Sequence, residues 1–304
     1  MKKFLITGAN GLLGQKLVSL LHQEVNVCLL ATAQGDCRFN LPSGVTFQSL
    51  DITDADACAM LFQEFQPDVL FHTAAMTQVD ACEDERERCD LINVTGVSNL
   101  IKAIGDFDTH FIHISTDFIY KGDASEYFEH SKADPLSYYG LSKWKSEQLF
   151  TEVSFPYTIL RTVLVYGVLD DLSRTNIVLW AKGALEKGQE IQVVDDQFRC
   201  PTLAEDLALA CLLVSREKAT GTYHISGKDF LSVLEIVHEI ADFWNLDKQL
   251  INSIPTSSLS QKAKRPPKTK LNISKAMQHF NYQPKSFREG LVLVDKQIQN
   301  LKLQ

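Results

Sequence analysis

The stretch Thr7-Gly8-Ala9-Asn10-Gly11-Leu12-Leu13-Gly14 decides the fold of this 304-residue chain. It follows a short apolar segment at residues 3–7 that predicts a strand, and the apolar positions after it have helical spacing. A strand, a glycine-rich turn and a helix open a dinucleotide-binding doubly wound sheet. Small residues let the backbone approach a pyrophosphate, whose charge then lies at the helix N-terminus. The alternative is a tight turn without a ligand, and three glycines at three-residue spacing argue against it.

Strand and helix patterns continue to alternate after this opening. Further strands are predicted at residues 25–32, 45–50, 69–71, 111–115 and 157–160. Five or six alternations by residue 165 predict an α/β fold with a parallel, doubly wound, Rossmann-like sheet. The alternation stops after Gly167. We therefore expect a dinucleotide-binding domain made of residues 1–167 with 191–227. A smaller, discontinuous substrate-binding lobe is expected from residues 168–190 with 228–304.

Composition limits the possible partners. A net charge of −8 without a basic stripe argues against nucleic acid. Lys2 and Lys3 precede a strand rather than a signal peptide, and no apolar run reaches the roughly 18 residues that span a bilayer. Seven cysteines without a C-x-x-C pattern indicate reduced thiols, so we expect a cytoplasmic protein without a membrane partner. His110 and His113 would face opposite sides of a strand, and no other spacing suggests a metal site.

The ends of the second to fourth strands carry candidate cofactor residues. An acid about 20 residues after the glycines would bind the ribose of NAD. Here the second strand ends through Thr32 without an acid before Asp36, and Arg38 follows, so the pattern favours NADP slightly while NAD stays open. Asp51, followed by Ile52, either contacts the adenine or caps the next helix. The small segment Thr73-Ala74-Ala75 leaves room for a cofactor, or for close helix packing.

Tyr139 and Lys143 are the candidate catalytic pair. Four residues apart on a helix, they lie on the same face. An ammonium beside a phenol is expected to lower the tyrosine's pKa from about 10, which suits proton transfer. Ser115-Thr116-Asp117 precedes them at the end of the fifth strand, where ligands of open α/β sheets bind, and the loop 118–138 could fold over the site. The alternatives are a strand-end cap for Thr116 and a buried helix tyrosine for Tyr139.

These motifs together resemble the extended short-chain dehydrogenase/reductase family over nearly the whole chain. Within it, residues 73–80, 196–208 and 265–271 are similar to the dTDP-4-dehydrorhamnose reductase group. The resemblance implies that Tyr139 is the general acid, that Lys143 holds the nicotinamide ribose and that Thr116 binds the substrate carbonyl. The cofactor-binding residues implied with them are Gly8, Asn10, Gly11, Leu12, Leu13, Gly14, Thr32, Asp51, Ile52, Thr73, Ala74, Ala75 and Asn93. The substrate-binding residues implied are Thr77, Thr116, Asp117 and Arg199.

The chain departs from the group's pattern at two places. Phe198-Arg199-Cys200 stands where a glycine usually precedes Pro-Thr, and Ser146 stands where a glycine usually precedes Glu147. The first departure lies in a segment near the expected substrate, so the identity of the sugar stays open.

The resemblance implies reduction of a nucleotide-linked 4-keto-6-deoxy sugar, dTDP-4-dehydrorhamnose to dTDP-rhamnose, with hydride from NADPH or NADH. A sugar-nucleotide epimerase or dehydratase of the same family is one alternative, and a non-catalytic NADP-binding regulatory subunit is the other. The resemblance also suggests a homodimer.

Overall fold

The computed structural model describes residues 1–170 and 175–302, with side chains to residue 301. Residues 171–174, part of the expected substrate-binding lobe, lie outside the described residues. The strands are β1 Lys2–Thr7, β2 Val27–Ala33, β3 Val45–Ser49, β4 Val69–His72, β5 His110–Thr116, β6 Tyr157–Thr162, β7 Val165–Tyr166, β8 Ile191–Val194, β9 Phe198–Arg199, β10 Thr202–Leu203, β11 Gly221–Ile225, β12 Leu231–Ser232 and β13 Ile251–Ile254. The α-helices are α1 Leu12–Leu21, α2 Ala55–Phe65, α3 Val79–Asp84, α4 Arg86–Asp90, α5 Gly96–Ile104, α6 Tyr138–Gln148, α7 Ile177–Glu186, α8 Ala204–Glu217, α9 Val233–Trp244, α10 Ser274–Phe280 and α11 Phe287–Lys302.

Seven parallel strands form the main sheet, in the order β11-β6-β5-β4-β1-β2-β3. Successive strands extend from β1 in both directions, so the predicted doubly wound α/β fold is confirmed. Helices cover both faces: Leu17 of α1 and Leu207 of α8 pack on one side, and Phe62 of α2 and Leu100 of α5 pack on the other. Burial on both faces explains why the central strands are almost continuously apolar.

The register of the sheet brings separate segments to one edge. Thr7 at the end of β1 pairs with His72 at the end of β4, and Thr116 of β5 pairs with Thr162 of β6. Because all these strands run parallel, the glycine turn, the segment after β4 and the end of β5 emerge side by side.

A second group of elements packs beside that edge. β8 pairs in parallel with β13, and Ile191 of β8 shares a hydrophobic cluster with Val178 of α7, Ile236 of α9 and Leu291 of α11. β11, in contrast, extends the main sheet. The proposed assignment of residues 191–227 to the dinucleotide-binding domain stays a prediction.

Three further features bear on function. Among the described residues, no helix is long and apolar enough to cross a membrane. The described residues also contain no cluster of His, Cys, Asp or Glu that could hold a metal ion. All seven cysteines are free thiols.

Candidate active site

The glycine turn between β1 and α1 is packed too tightly for side chains. Gly8 has φ +76°, and a Cβ there would lie 2.5 Å from the backbone nitrogen of Ala74. A Cβ on Gly14 would overlap the carbonyl oxygen of Gly8. Gly11 precedes α1 without a side-chain cap, so the first-turn amides of α1 can bind an anion. The small residues after β4 are thus explained partly by their close approach to this turn.

A cavity of about 500 Å³ lies at the carboxyl edge of the sheet. It brings together many of the residues predicted for the cofactor and substrate sites, which come from the glycine turn, the segment after β4, the end of β5 and α6. These are Gly11, Leu12, Leu13, Gly14, Thr73, Ala75, Thr77, Thr116, Asp117, Tyr139 and Lys143.

Local packing fixes α6 against the end of β5. Ser137 caps the helix by accepting a hydrogen bond from the Gly140 N–H at 3.2 Å. A Cβ on Gly140 would overlap the carbonyl oxygen of Phe118, so glycine lets the helix approach the chain just after Thr116. The Phe118 ring contacts Tyr139 edge-on, with 5.7 Å between ring centroids. Tyr139 and Thr116 are therefore held on the same wall of the cavity.

The pKa of Tyr139 differs from the sequence-based expectation. Burial raises the pKa of the phenol, the Asp117 carboxylate raises it further, and a hydrogen bond with Thr116 only partly opposes these effects. The expected lowering by Lys143 is therefore not observed, because desolvation outweighs the hydrogen bond with Thr116 and the neighbouring negative groups act in the same direction as desolvation. Burial also lowers the pKa of Lys143, to about 8. The Lys143 Nζ lies 3.3 Å from His113 Nε2.

Asn10, Thr32 and Asp51 do not line the cavity, and each has a partner within the protein. The Asn10 side chain binds the loop after β2, donating to the carbonyl of Asp36 and accepting from the Arg38 N–H, both at 2.9 Å. The Thr32 hydroxyl donates to the carbonyl of Ile6. Their contacts with a cofactor stay predictions.

Asp51 and Ile52, which follow β3, also have partners within the protein. Asp51 accepts from the backbone and hydroxyl of Thr53 and from Gln34. Ile52 packs under Gly96, where a Cβ would lie 2.6 Å from Ile52 Cδ1. The cap of α2 is Asp54, which accepts from the Ala57 N–H, so Asp51 does not cap this helix; its contact with adenine stays a prediction.

Asn93 connects the segment after β4 to α6. It lies in a π-helical turn, Leu91–Thr95, and its Oδ1 accepts from the Met76 N–H at 2.8 Å. Its Nδ2 donates to the Met76 carbonyl at 3.0 Å and to the Ser142 hydroxyl at 2.9 Å. Asn93 therefore supports two walls of the cavity from behind, and its predicted contact with the cofactor is untested.

Arg199 lies behind the substrate side of the cavity. Its Nε is 3.9 Å from the carboxylate of Asp117, and its guanidinium donates to the carbonyls of Phe198 and Pro267. Thr269 donates to the same Asp117 carboxylate at 2.5 Å. Burial raises the pKa of Asp117, and the positive charge of Arg199 opposes that rise. Asp117 lines the cavity and Arg199 does not, although both were predicted to bind the substrate.

Arg265 and Asn176 are among the residues lining the cavity that were not predicted as site residues. Arg265 borders it and donates to Asp80 of α3 at 2.7 Å, and Asn176, the N-cap of α7, lies on the same side. Arg265 belongs to a C-terminal segment that resembles the family, which was the only signal for it in the sequence. Nothing in the sequence indicated Asn176, because its distance from the cavity depends on how α7 packs beside the main sheet.

Known proteins resemble this chain over nearly its whole length. The family described as the RmlD substrate binding domain matches residues 1–300. A dTDP-4-dehydrorhamnose reductase of Aggregatibacter actinomycetemcomitans is 30% identical, over 96% of this chain and 97% of that protein. The methionine adenosyltransferase 2 subunit beta of Xenopus laevis is 28% identical, over 97% of this chain and 89% of that protein. A crystal structure of dTDP-4-dehydrorhamnose reductase from Bacillus anthracis, in complex with NADP, superposes with a TM-score of 0.83 at 29% identity, covering 98% of this chain and 100% of that one.

Proposed function

Because this chain belongs to the RmlD substrate binding domain family, we propose that it is an NAD(P)-dependent oxidoreductase acting on a nucleotide-linked sugar. The specific reaction proposed is reduction of a 4-keto-6-deoxy sugar, dTDP-4-dehydrorhamnose to dTDP-rhamnose. One observation carries the proposal: Thr116, Tyr139 and Lys143 line the same cavity as the glycine turn that precedes α1.

The residues present fit a dinucleotide. Side chains at Gly8 and Gly14 would collide with the backbone, so glycine keeps the turn tight. Gly11 and Gly14 line the cavity, and the uncapped first turn of α1 supplies N–H donors for a pyrophosphate. When bound, NADPH or NADH supplies a hydride to the sugar carbonyl. Lys143 and Thr73 would contact the cofactor from the wall of the cavity.

Tyr139 would complete the reduction by donating its phenolic proton to the carbonyl oxygen, while the carbonyl carbon receives the hydride. Burial raises the pKa of this phenol, so the phenol carries its proton at neutral pH and can give it to the more basic alkoxide that forms on the sugar. Thr116 would orient the carbonyl by a hydrogen bond. The charge of protonated Lys143 would stabilise the developing alkoxide in a poorly solvated site. A proton from water then restores Tyr139.

A non-catalytic subunit is the second candidate, because the similarity to a methionine adenosyltransferase subunit covers nearly the whole chain. The presence of Thr116, Tyr139 and Lys143 in one cavity supports the enzyme instead. An epimerase or dehydratase would use the same three residues, with Asp117 as a further acid, and would not consume its cofactor.

The test is a panel of nucleotide-linked 4-keto sugars, assayed by loss of NADPH or NADH absorbance. We expect stoichiometric cofactor consumption, which separates a reductase from an epimerase or dehydratase. Tyr139→Phe should lower turnover by roughly 10²-fold or more with cofactor binding retained. Tyr138→Phe is the matched control, because the neighbouring hydroxyl binds Asp90 instead of lining the cavity. Tight NADP binding without turnover on any sugar would contradict the reductase and favour the regulatory subunit.

A further inference from the structure

Lys143 has one polar anchor behind the cavity. The residue is only 2% exposed. Its Nζ forms one hydrogen bond within the described residues, to His113 Nε2 at 3.3 Å. An ammonium carries three donors, so one is held by His113 and the others remain for groups inside the cavity that Lys143 lines.

His113 is suited to accept that bond because its ring is neutral. It lies on β5 with 0% exposure, and burial lowers its pKa well below 6.5, with the charge of Lys143 adding to the effect. The ring stacks on His72 at 5.4 Å, with 14° between the ring planes. One ring nitrogen of a neutral imidazole carries a proton and the other accepts. A charged Lys143 therefore requires the tautomer with the proton on Nδ1.

Ser146 brings a second group to the same nitrogen. Its Oγ lies 3.0 Å from His113 Nε2, and the hydroxyl also lies 2.7 Å from the backbone carbonyl of Lys143, one helical turn earlier. This is the position where the group that the chain resembles usually has glycine. The serine side chain thus connects His113 to the turn of α6 that carries Lys143. The hydroxyl has one proton, so it donates either to that carbonyl or to Nε2, and a His113 ring protonated on Nδ1 requires donation to Nε2.

We propose that His113 is a positioning residue that holds the Lys143 ammonium at the cavity wall by accepting its hydrogen bond at Nε2. The inference rests on the proposed role of Lys143 in binding the cofactor. Titratable groups that act on Lys143 or on its histidine partner come from four elements packed together here: Glu147 of α6, Cys89 of α4, His113 of β5 and His72 of β4.

The consequence is a defined pH dependence. The ammonium is the form that this hydrogen bond stabilises, so its loss lowers the pKa of Lys143 further below about 8. Lys143 then loses its proton at lower pH, and cofactor affinity that depends on the charge is lost earlier as pH rises. A purely structural role of His113 would not move this midpoint.

The first experiment measures NADPH binding by fluorescence from about pH 6 to about pH 10. In the unmodified protein, affinity should fall as pH rises through about 8. His113→Leu should move that midpoint down by about one pH unit, the size expected for losing a hydrogen bond to a charged group. His113→Gln, whose amide oxygen can accept, should restore it.

His110→Leu is the matched control. His110 lies on the same strand, is buried, and has its pKa lowered to about 4, but its Nε2 bonds Thr158 instead of Lys143. This variant should leave the midpoint where it is. A midpoint in His113→Leu that is unchanged, or raised, would overturn the proposal.

A second measurement does not depend on how the leucine variant folds. Nitrogen-15 NMR of histidine side chains in the unmodified protein reports the tautomer of His113, with His113→Gln used to assign its signals. The proposal requires the proton on Nδ1 at neutral pH, and a proton on Nε2 would refute it. Absence of any NADPH binding would count against the proposed function instead, because the tautomer stays measurable without the cofactor.

Discussion

The ion pair between Glu147 and Arg161 should be far more important for stability than a surface pair with the same shortest distance. The Arg161 Nη2 lies 2.6 Å from Glu147 Oε2, and the two side chains are 6% and 2% exposed. Arg216 and Glu24 are also 2.6 Å apart, but their side chains are 53% and 24% exposed. The shortest distance and the chemical type are the same in the two pairs, and they differ in burial and in the further contacts of the Arg161 Nε with both Glu147 oxygens.

The perturbation is Glu147→Gln, which removes the charge and keeps the shape. Glu147 also accepts from the Ser115 hydroxyl at 2.5 Å, and Arg161 donates elsewhere to Tyr120 and to the carbonyl of Glu129. The guanidinium would stay buried without its counter-ion, so the free energy of unfolding should fall by about 3 kcal/mol or more. Glu24→Gln should cost less than about 1 kcal/mol, because water solvates the exposed Arg216.

The assay is urea denaturation of the two variants and of the unmodified protein. Their free energies of unfolding are compared with the same slope against urea concentration for all three proteins. Equal losses in the two variants, within about 0.5 kcal/mol, would refute the reasoning from burial. Replacing Glu147 and Arg161 together with methionine should recover part of the loss, because no charge is then left unpaired. A double variant less stable than Glu147→Gln would show that packing, and not charge, dominates the site.

Three further predictions concern the cavity. Gly14→Ala should lower NADPH affinity by about tenfold or more and destabilise the fold by about 1–3 kcal/mol, because the new Cβ overlaps the Gly8 carbonyl; binding and urea titrations test this. Gly183→Ala in α7 is its control, with nothing within 4 Å of the new Cβ, and should stabilise by about 1 kcal/mol or less. Asn93→Ala should cost about 1–3 kcal/mol in urea titrations, because the backbone N–H of Met76 loses its partner; unchanged stability would contradict its supporting role. Thr116→Val should lower kcat about tenfold with little change in NADPH affinity, and an unaltered kcat would remove its hydroxyl from the reaction.

Much of the fold follows from local sequence. The strand, glycine turn and helix at residues 2–21 were predictable because backbone sterics, glycine φ and apolar periodicity are properties of neighbouring residues. The positions of the next five strands followed in the same way, and the parallel order follows from their alternation with helices. Tyr139 and Lys143 could be paired because four residues make one helical turn.

The rest required the packed structure. Arg265 and Asn176 reach the cavity from segments distant in sequence, and Arg199, although predicted there, stops behind Asp117. The expected lowering of the Tyr139 pKa did not hold, because spacing identifies a charged neighbour but does not give the loss of solvent around the phenol.

By itself, then, the sequence determined the sheet, the turn that approaches a pyrophosphate and the helical face bearing Tyr139 and Lys143, since each depends on a few consecutive residues. Only the tertiary structure decided that His113 contacts Lys143, that Asn10 binds the loop after β2, and which groups lose their water. Desolvation and long-range contacts depend on how separate segments pack against one another. A pattern of neighbouring residues does not specify how close two segments distant in sequence will lie.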